Sequence, residues 1–197
     1  MLLDHIIDSK NKIKLMRELS LHENWEYSIN ELVKNTGIHR VRISSLIKEL
    51  ADLGAIKIKT KGRVRLVSIN KGNYFVKNIL IELFKKEKNL AIDIASEVVK
   101  DIKRDKNVIS IILFGSSIKE RFTFKSDIDI MVIYSKDEHI KNIDKIIEEY
   151  DKHGLLISYD TISVDEFKKL FREKEASIVS LVKDNKTLYG KNVLEMI

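Results

Sequence analysis

Apolar positions in the first third of the chain recur at helical spacing and then at strand spacing. Ile13, Leu15, Met16 and Leu19 fall on one side of a helix over residues 10–20. Ser28-Ile-Asn-Glu31 has the reciprocal form of a capping box and predicts a short helix through Val33, stopped by Asn35-Thr36-Gly37. A third helix is predicted from His39 to Leu53, with Ile43, Leu46, Ile47 and Leu50 on one face and Gly54 behind it. The period then changes to two. Residues 55–60 and 64–69 alternate apolar and basic side chains around Lys61-Gly62-Arg63, which predicts a half-buried hairpin with a basic outer face. Lys71-Gly72-Asn73 reads as a linker. Two helical stripes follow it, Val76 to Phe84 and Ala91 to Ile102.

Apolar runs at 108–114 and 127–133 predict buried strands. Residues 138–150 return to helical spacing through Ile140, Ile143, Ile146, Ile147 and Tyr150, and 155–162 predict a third strand. Ser163-Val-Asp-Glu166 opens another helix with Phe167, Leu170 and Phe171 inward, followed by a helix at 178–182 and a short strand at 188–190. The expected class is α/β (α+β), with one domain over residues 1–70 and a second, a mixed sheet flanked by helices, over 74–197.

A 197-residue chain is long enough for two such cores. With 44% apolar and 34% charged residues it has the composition of a globular protein. No run reaches the roughly eighteen apolar residues of a membrane span. The start, Met-Leu-Leu-Asp-His-Ile-Ile-Asp, carries acids inside its apolar run and no basic segment, so no secretory signal is expected and the cytoplasm is the expected compartment. The absence of cysteine excludes disulfides and thiolate zinc sites, and the five histidines show no ligand spacing.

The distribution of charge says more than its total. Residues 1–70 hold 13 Lys+Arg against 8 Asp+Glu, a net of +5, while 71–197 hold 23 against 22, a net of +1. An anionic partner for the first domain follows, nucleic acid before membrane. Opposite the apolar stripe of the 39–53 helix lie Val41, Arg42, Ser45 and Lys48, flanked by Arg40 and Ser44. These residue types bond phosphates and base edges, and an exposed Val41 would meet a thymine methyl. Three helices followed by a basic hairpin resemble a winged helix-turn-helix domain. The resemblance implies double-stranded DNA as partner, a recognition helix at 39–53, and a wing whose Lys59, Lys61, Arg63 and Arg65 reach backbone phosphates. Winged-helix regulators pair to read palindromes, so the resemblance also implies a homodimer. A solvated basic face serving protein contacts is the other reading of the same residues.

The richest chemistry lies between Phe114 and Ile133. A strand runs into Gly115-Ser116, and a second strand opens with Asp127 and Asp129. Residues two apart on a strand share a face, so both carboxylates stand together while Ile128, Ile130 and Val132 turn into a core. Two such charges call for a counter-charge, and magnesium takes one or two carboxylates together with substrate phosphates. A glycine after a strand lets the backbone approach a ligand, and a helix N-terminus behind it offers N–H groups to phosphate.

This stretch, Gly115-Ser116 followed by Ser126-Asp127-Ile128-Asp129-Ile130, resembles the signature of the DNA polymerase beta superfamily of nucleotidyltransferases, in particular its minimal archaeal and bacterial members. The resemblance covers roughly residues 75 to 190. It implies transfer of a nucleoside monophosphate from a nucleoside triphosphate, ATP being favoured, with two magnesium ions on three carboxylates. It implies Asp127 and Asp129 as metal ligands and catalytic residues, and Gly115, Ser116 and Ser126 at the nucleotide with Lys119 or Arg121 assisting. The third carboxylate comes from the strand at 155–162, where Asp160 is the candidate and Ser158 the alternative position. Many relatives carry Arg-Gly where this chain has Lys119-Glu120.

Three functions remain open on these residues. The chain is an active transferase whose acceptor is a nucleic acid end, a small molecule or a protein, as in minimal nucleotidyltransferases that resemble antitoxins modifying a partner toxin. It is a transcription regulator that senses nucleotide without chemistry. Or both halves are non-catalytic interaction modules.

Overall fold

The computed structural model describes residues 2–118, 126–135, 143–152, 154 and 156–197. The chain divides into two compact units, Met1–Lys88 and Asn89–Ile197.

In the first unit a short helix α1 (Leu2–Ile6) precedes α2 (Lys10–Leu21), β1 (Tyr27–Ser28), α3 (Ile29–Thr36), α4 (Arg40–Asp52) and the strands β2 (Ile56–Lys61) and β3 (Val64–Ile69). The predicted capping box starts α3: Ser28 Oγ accepts the Glu31 N–H at 3.3 Å, and the Glu31 carboxylate accepts the Ser28 N–H at 2.7 Å. Gly37 ends it in the left-handed region at φ 64°, which lets its N–H reach the Val33 carbonyl. Leu15, Met16 and Leu19 of α2, Leu32 of α3 and Ile43, Leu46, Ile47 and Leu50 of α4 bury together. Strands β2 and β3 pair as the predicted hairpin, and β1 joins β3, giving the antiparallel order β1-β3-β2.

The boundary expected at 71–73 falls instead between Lys88 and Asn89. Lys71-Gly72-Asn73 is a turn held to the first unit, because the Asn70 and Asn73 side chains both donate to the Gly54 carbonyl, at 2.8 and 3.3 Å. The stripe that follows supplies the same core with Val76, Leu80, Ile81 and Phe84. The two helical stripes are one continuous element. Val76–Leu80 winds as a π-helical turn straight into α5 (Ile81–Ile102).

In the second unit come β4 (Val108–Phe114), a 3₁₀ turn at Gly115–Ile118, β5 (Ile128–Tyr134), α6 (Ile143–Asp151), β6 (Ile157–Ser163), α7 (Val164–Arg172), α8 (Ala176–Lys183) and β7 (Asn185–Gly190). The sheet order is β6-β5-β4-β7; β6 runs parallel to β5 and the other pairs are antiparallel. The unit is therefore mixed α/β with a mixed sheet, as expected.

The alternation of β5 divides two cores. Ile128, Ile130 and Val132 pack with the α5 residues Ala91, Ala95, Val98, Val99 and Ile102 and with Ile143 and Ile147 of α6. Met131 and Ile133 pack on the other face with Ile162, Phe167 of α7, and Ile178 and Leu181 of α8. That second face is the one from which Asp129 projects, so α7 and α8 cover it only beyond the acidic end of the sheet.

Phe167 is fully buried in that second core. Phe167→Ala is expected to cost the second unit about 3–5 kcal/mol, read as faster amide exchange in β4 and β5. Unchanged protection there would contradict the packing described.

Candidate functional site

Gly115 leaves β4 at φ 71°, in the left-handed region, and so turns the chain back across the end of β5. The turn sits hard against Asp129. A Cβ built on Gly115 would lie 2.3 Å from Asp129 Oδ2, closer than any methyl can stand. Ser117 ties the same two segments together. Its buried hydroxyl donates to the Asp127 carbonyl at 2.9 Å and accepts the Asp129 N–H at 3.3 Å. Opposite, Asp129 is in register with Phe114, the last residue of β4.

Asp127 is exposed just ahead of β5, and Asp129 is half-buried inside it. Burial raises the Asp129 carboxyl pKa above its ordinary value, and the charges of Asp127 and Asp160 add to the shift. The backbone N–H of Ser116 opposes the shift. Asp160 is exposed on the edge strand β6. In the parallel register Ser158 stands beside Asp129, and Asp160 stands beside Met131, one same-face step along the strand. The structure thus brings Gly115, Ser116, Asp127 and Asp129 together and sets Asp160 on the same face at a distance of one step. Ser126 is half-buried next to Asp127. Lys119 and Arg121 lie outside the described residues, as do residues 138–142 at the start of the helix predicted there.

Among the described residues no three His, Cys, Asp or Glu side chains converge as a closed metal cage. The pair Asp127 and Asp129 still offers the hard oxygen donors that magnesium takes when phosphates complete its shell. The space that a Gly115 side chain would fill is taken up by the Asp129 carboxylate.

Residues 96–192 match the family model described as polymerase beta, nucleotidyltransferase. The matched span contains the Gly115 turn and all three candidate aspartates. Comparison with curated proteins gives no match. Among solved structures, a crystal structure of a toxin–antitoxin with AMP-PNP aligns over 51% of this chain and 77% of its own, at 18% identity and a TM-score of 0.36. A structure concerning regulation of DNA binding of Bordetella bronchiseptica BpsR by 6-hydroxynicotinic acid aligns over 52% of this chain and 81% of its own, at 20% identity and a TM-score of 0.30. Likeness this slight carries no argument here. No helix among the described residues is long and apolar enough to cross a membrane.

In the first unit, Arg40, Val41, Arg42, Ser44, Ser45 and Lys48 are all exposed on α4, Val41 at 72%. Lys59, Lys61, Arg63 and Arg65 are exposed on the hairpin, where Lys59 pairs with Glu26 at 3.4 Å. Four of the α4 candidates are already engaged: Arg40 donates to Asn30 Oδ1 at 2.8 Å, Ser44 Oγ donates to the Arg40 carbonyl at 3.1 Å, and Arg42 and Ser45 meet Glu49. Ser45 Oγ donates to Glu49 Oε1 at 2.9 Å, and Arg42 Nη1 lies 3.7 Å from the same carboxylate. Glu49 in turn meets Lys12 Nζ at 3.1 Å, and Lys12 also bonds Asp8 at 2.9 Å and the His5 carbonyl at 3.0 Å. Lys12 is buried, and these oxygens replace the water it has lost. The network anchors α4 to the segment around α2.

Sequence reasoning missed Ser117, Lys12 and Glu49. Ser117 had a signal, being the second serine behind the glycine; Lys12 sits between the exposed Lys10 and Lys14 and had none.

Gly115→Ala should push the Asp129 carboxylate aside and weaken divalent-cation binding about 10- to 100-fold. Manganese titration read by electron paramagnetic resonance checks it, with the circular dichroism spectrum unchanged. Wild-type affinity would show that the close approach does not matter.

Proposed function

We propose that the second unit is a magnesium-dependent nucleotidyltransferase and that the first is a winged-helix DNA-binding domain. The observation that carries the first half is the packing of the Gly115–Ser117 turn against the Asp127/Asp129 pair inside a span that matches the polymerase beta nucleotidyltransferase family. Three helices and the β1-β3-β2 sheet, with a basic hairpin and an exposed basic face on α4, support the second half.

Asp127 and Asp129 would hold magnesium, which when bound neutralises phosphate charge and polarises the phosphoryl oxygens. The missing side chain at Gly115 lets the turn pack directly against the Asp129 carboxylate. Lys119 and Arg121, seven residues or fewer behind the turn in sequence, are the cations assigned to its outer phosphates. The acceptor hydroxyl attacks the α-phosphorus; a new O–P bond forms as the α–β bridging bond breaks and pyrophosphate leaves. Asp160, exposed on the open edge of the sheet, would take the hydroxyl proton. ATP is the favoured donor, and a protein such as a partner toxin is one candidate acceptor.

The register supports a second reading. Ser158 rather than Asp160 stands beside Asp129. A site so built suits binding of a metal–nucleotide complex without transfer, in a regulator whose DNA affinity follows nucleotide.

Incubation with α-labelled nucleoside triphosphates, magnesium and host lysate separates the two. Transfer is expected, with Asp127→Ala or Asp129→Ala lowering it about 100- to 1,000-fold. Transfer near wild type in both variants would remove these residues from the chemistry. Nucleotide-dependent DNA affinity with no labelled product would select the sensor.

A further inference from the structure

A second concave site lies wholly inside the first unit. Its volume is about 380 Å3, and its walls come from the start of α3 (Ser28, Asn30), the first residue of α4 (Arg40) and the end of the hairpin (Arg63, Val64, Arg65). Three arginines line it and no acidic residue does. Arg40 is held in place by Asn30, whose Oδ1 accepts from Nη1 at 2.8 Å. Among the described residues, the Arg63 and Arg65 side chains have neither an ion pair nor a hydrogen bond, unlike Lys59 on the same hairpin. The capping box already occupies the N–H groups of Ser28 and Glu31, so the recognition chemistry here belongs to the arginines rather than to the helix end.

Clustered like charges without a counter-charge destabilise an empty site and favour an anion that can fill it. Guanidinium forks match the tetrahedral oxygens of phosphate with paired hydrogen bonds. We infer that Arg40, Arg63 and Arg65 form a single phosphate-binding site, which grips one backbone phosphate of a DNA duplex. The choice of DNA over a free phosphate as the source rests on the DNA-binding reading above. Arg40 then fixes the start of α4 on the backbone, and base reading is left to the residues further along that helix. This differs from three basic side chains each meeting its own phosphate.

Salt dependence tells these cases apart, because the slope of log affinity against log salt counts the phosphates neutralised, at about 0.9 for each one on duplex DNA. The full chain is titrated onto a fluorescein-labelled 30-base-pair duplex of mixed sequence at about 50 to 200 mM NaCl, as wild type and as R40Q, R63Q, R65Q and the triple variant. One shared site predicts that the triple variant lowers the slope by about 0.9, with smaller changes in the single variants. A loss of about 2.7 would mean three separate contacts and would overturn the inference, as would an unchanged slope in a protein that binds the duplex. Lys10→Gln, exposed at the start of α2 and away from the cleft and the basic face of α4, controls for general loss of charge.

If the wild type does not bind duplex at the lowest salt, the DNA-binding reading fails by itself. Calorimetric titration with sodium pyrophosphate then decides the site. Binding at one site per chain that is lost in the triple variant identifies a free phosphate ligand, and no binding overturns the site altogether. Circular dichroism confirms that the exposed substitutions leave the fold intact.

Discussion

Everything at the acidic end of the second unit depends on one missing side chain. Gly115 lets the end of β4 close to within contact of the Asp129 carboxylate, and Ser117, two residues on, bridges Asp127 and Asp129 through a single hydroxyl. A turn that crosses the end of the neighbouring strand this closely cannot carry a Cβ, and the positive φ makes any other residue strained as well. The carboxylate pair is consequently positioned by backbone rather than by side-chain packing.

That rigidity contrasts with the openness of the same face. Met131, Ile133 and Ile162 are covered by α7 and α8, yet the sheet emerges from this cover at the level of Asp129 and Asp160. Half-burial of Asp129 and the proximity of two further acids raise the cost of its negative charge. A divalent cation would relieve that cost directly, and a nucleoside triphosphate would supply the remaining ligands. The first unit has the opposite imbalance: three arginines line a cleft with no acid among them. Each unit thus carries an uncompensated charge of the sign its proposed ligand would neutralise.

Much of this was legible in the sequence where the signal is local. The capping box at Ser28–Glu31, the buried face of α4 and the hairpin follow from short-range spacing and appear in the structure at those positions. The sharing of a face by Asp127 and Asp129 follows from the period of a strand. Signals that depend on pairing through space were not legible. Nothing in the residues around 157–163 says that Ser158 rather than Asp160 stands beside Asp129, because register between parallel strands is set by the crossover and the packing of both faces. Lys12 looks like its exposed neighbours Lys10 and Lys14 until α4 brings Glu49 to it. The linker at Lys71–Asn73 was misjudged for the same reason: glycine and asparagine mark a turn, but only the burial of Val76, Leu80, Ile81 and Phe84 shows to which core the next helix belongs.

The central claim is that the turn at Gly115 and the Asp127/Asp129 pair form one metal–nucleotide site. Its most direct test is calorimetric titration of the full chain with ATP, with and without magnesium, in the wild type and in Asp129→Asn. The account predicts ATP binding that requires magnesium and is lost in the variant. Magnesium-independent ATP binding that survives Asp129→Asn would contradict it, since the nucleotide would then be held somewhere other than against these carboxylates.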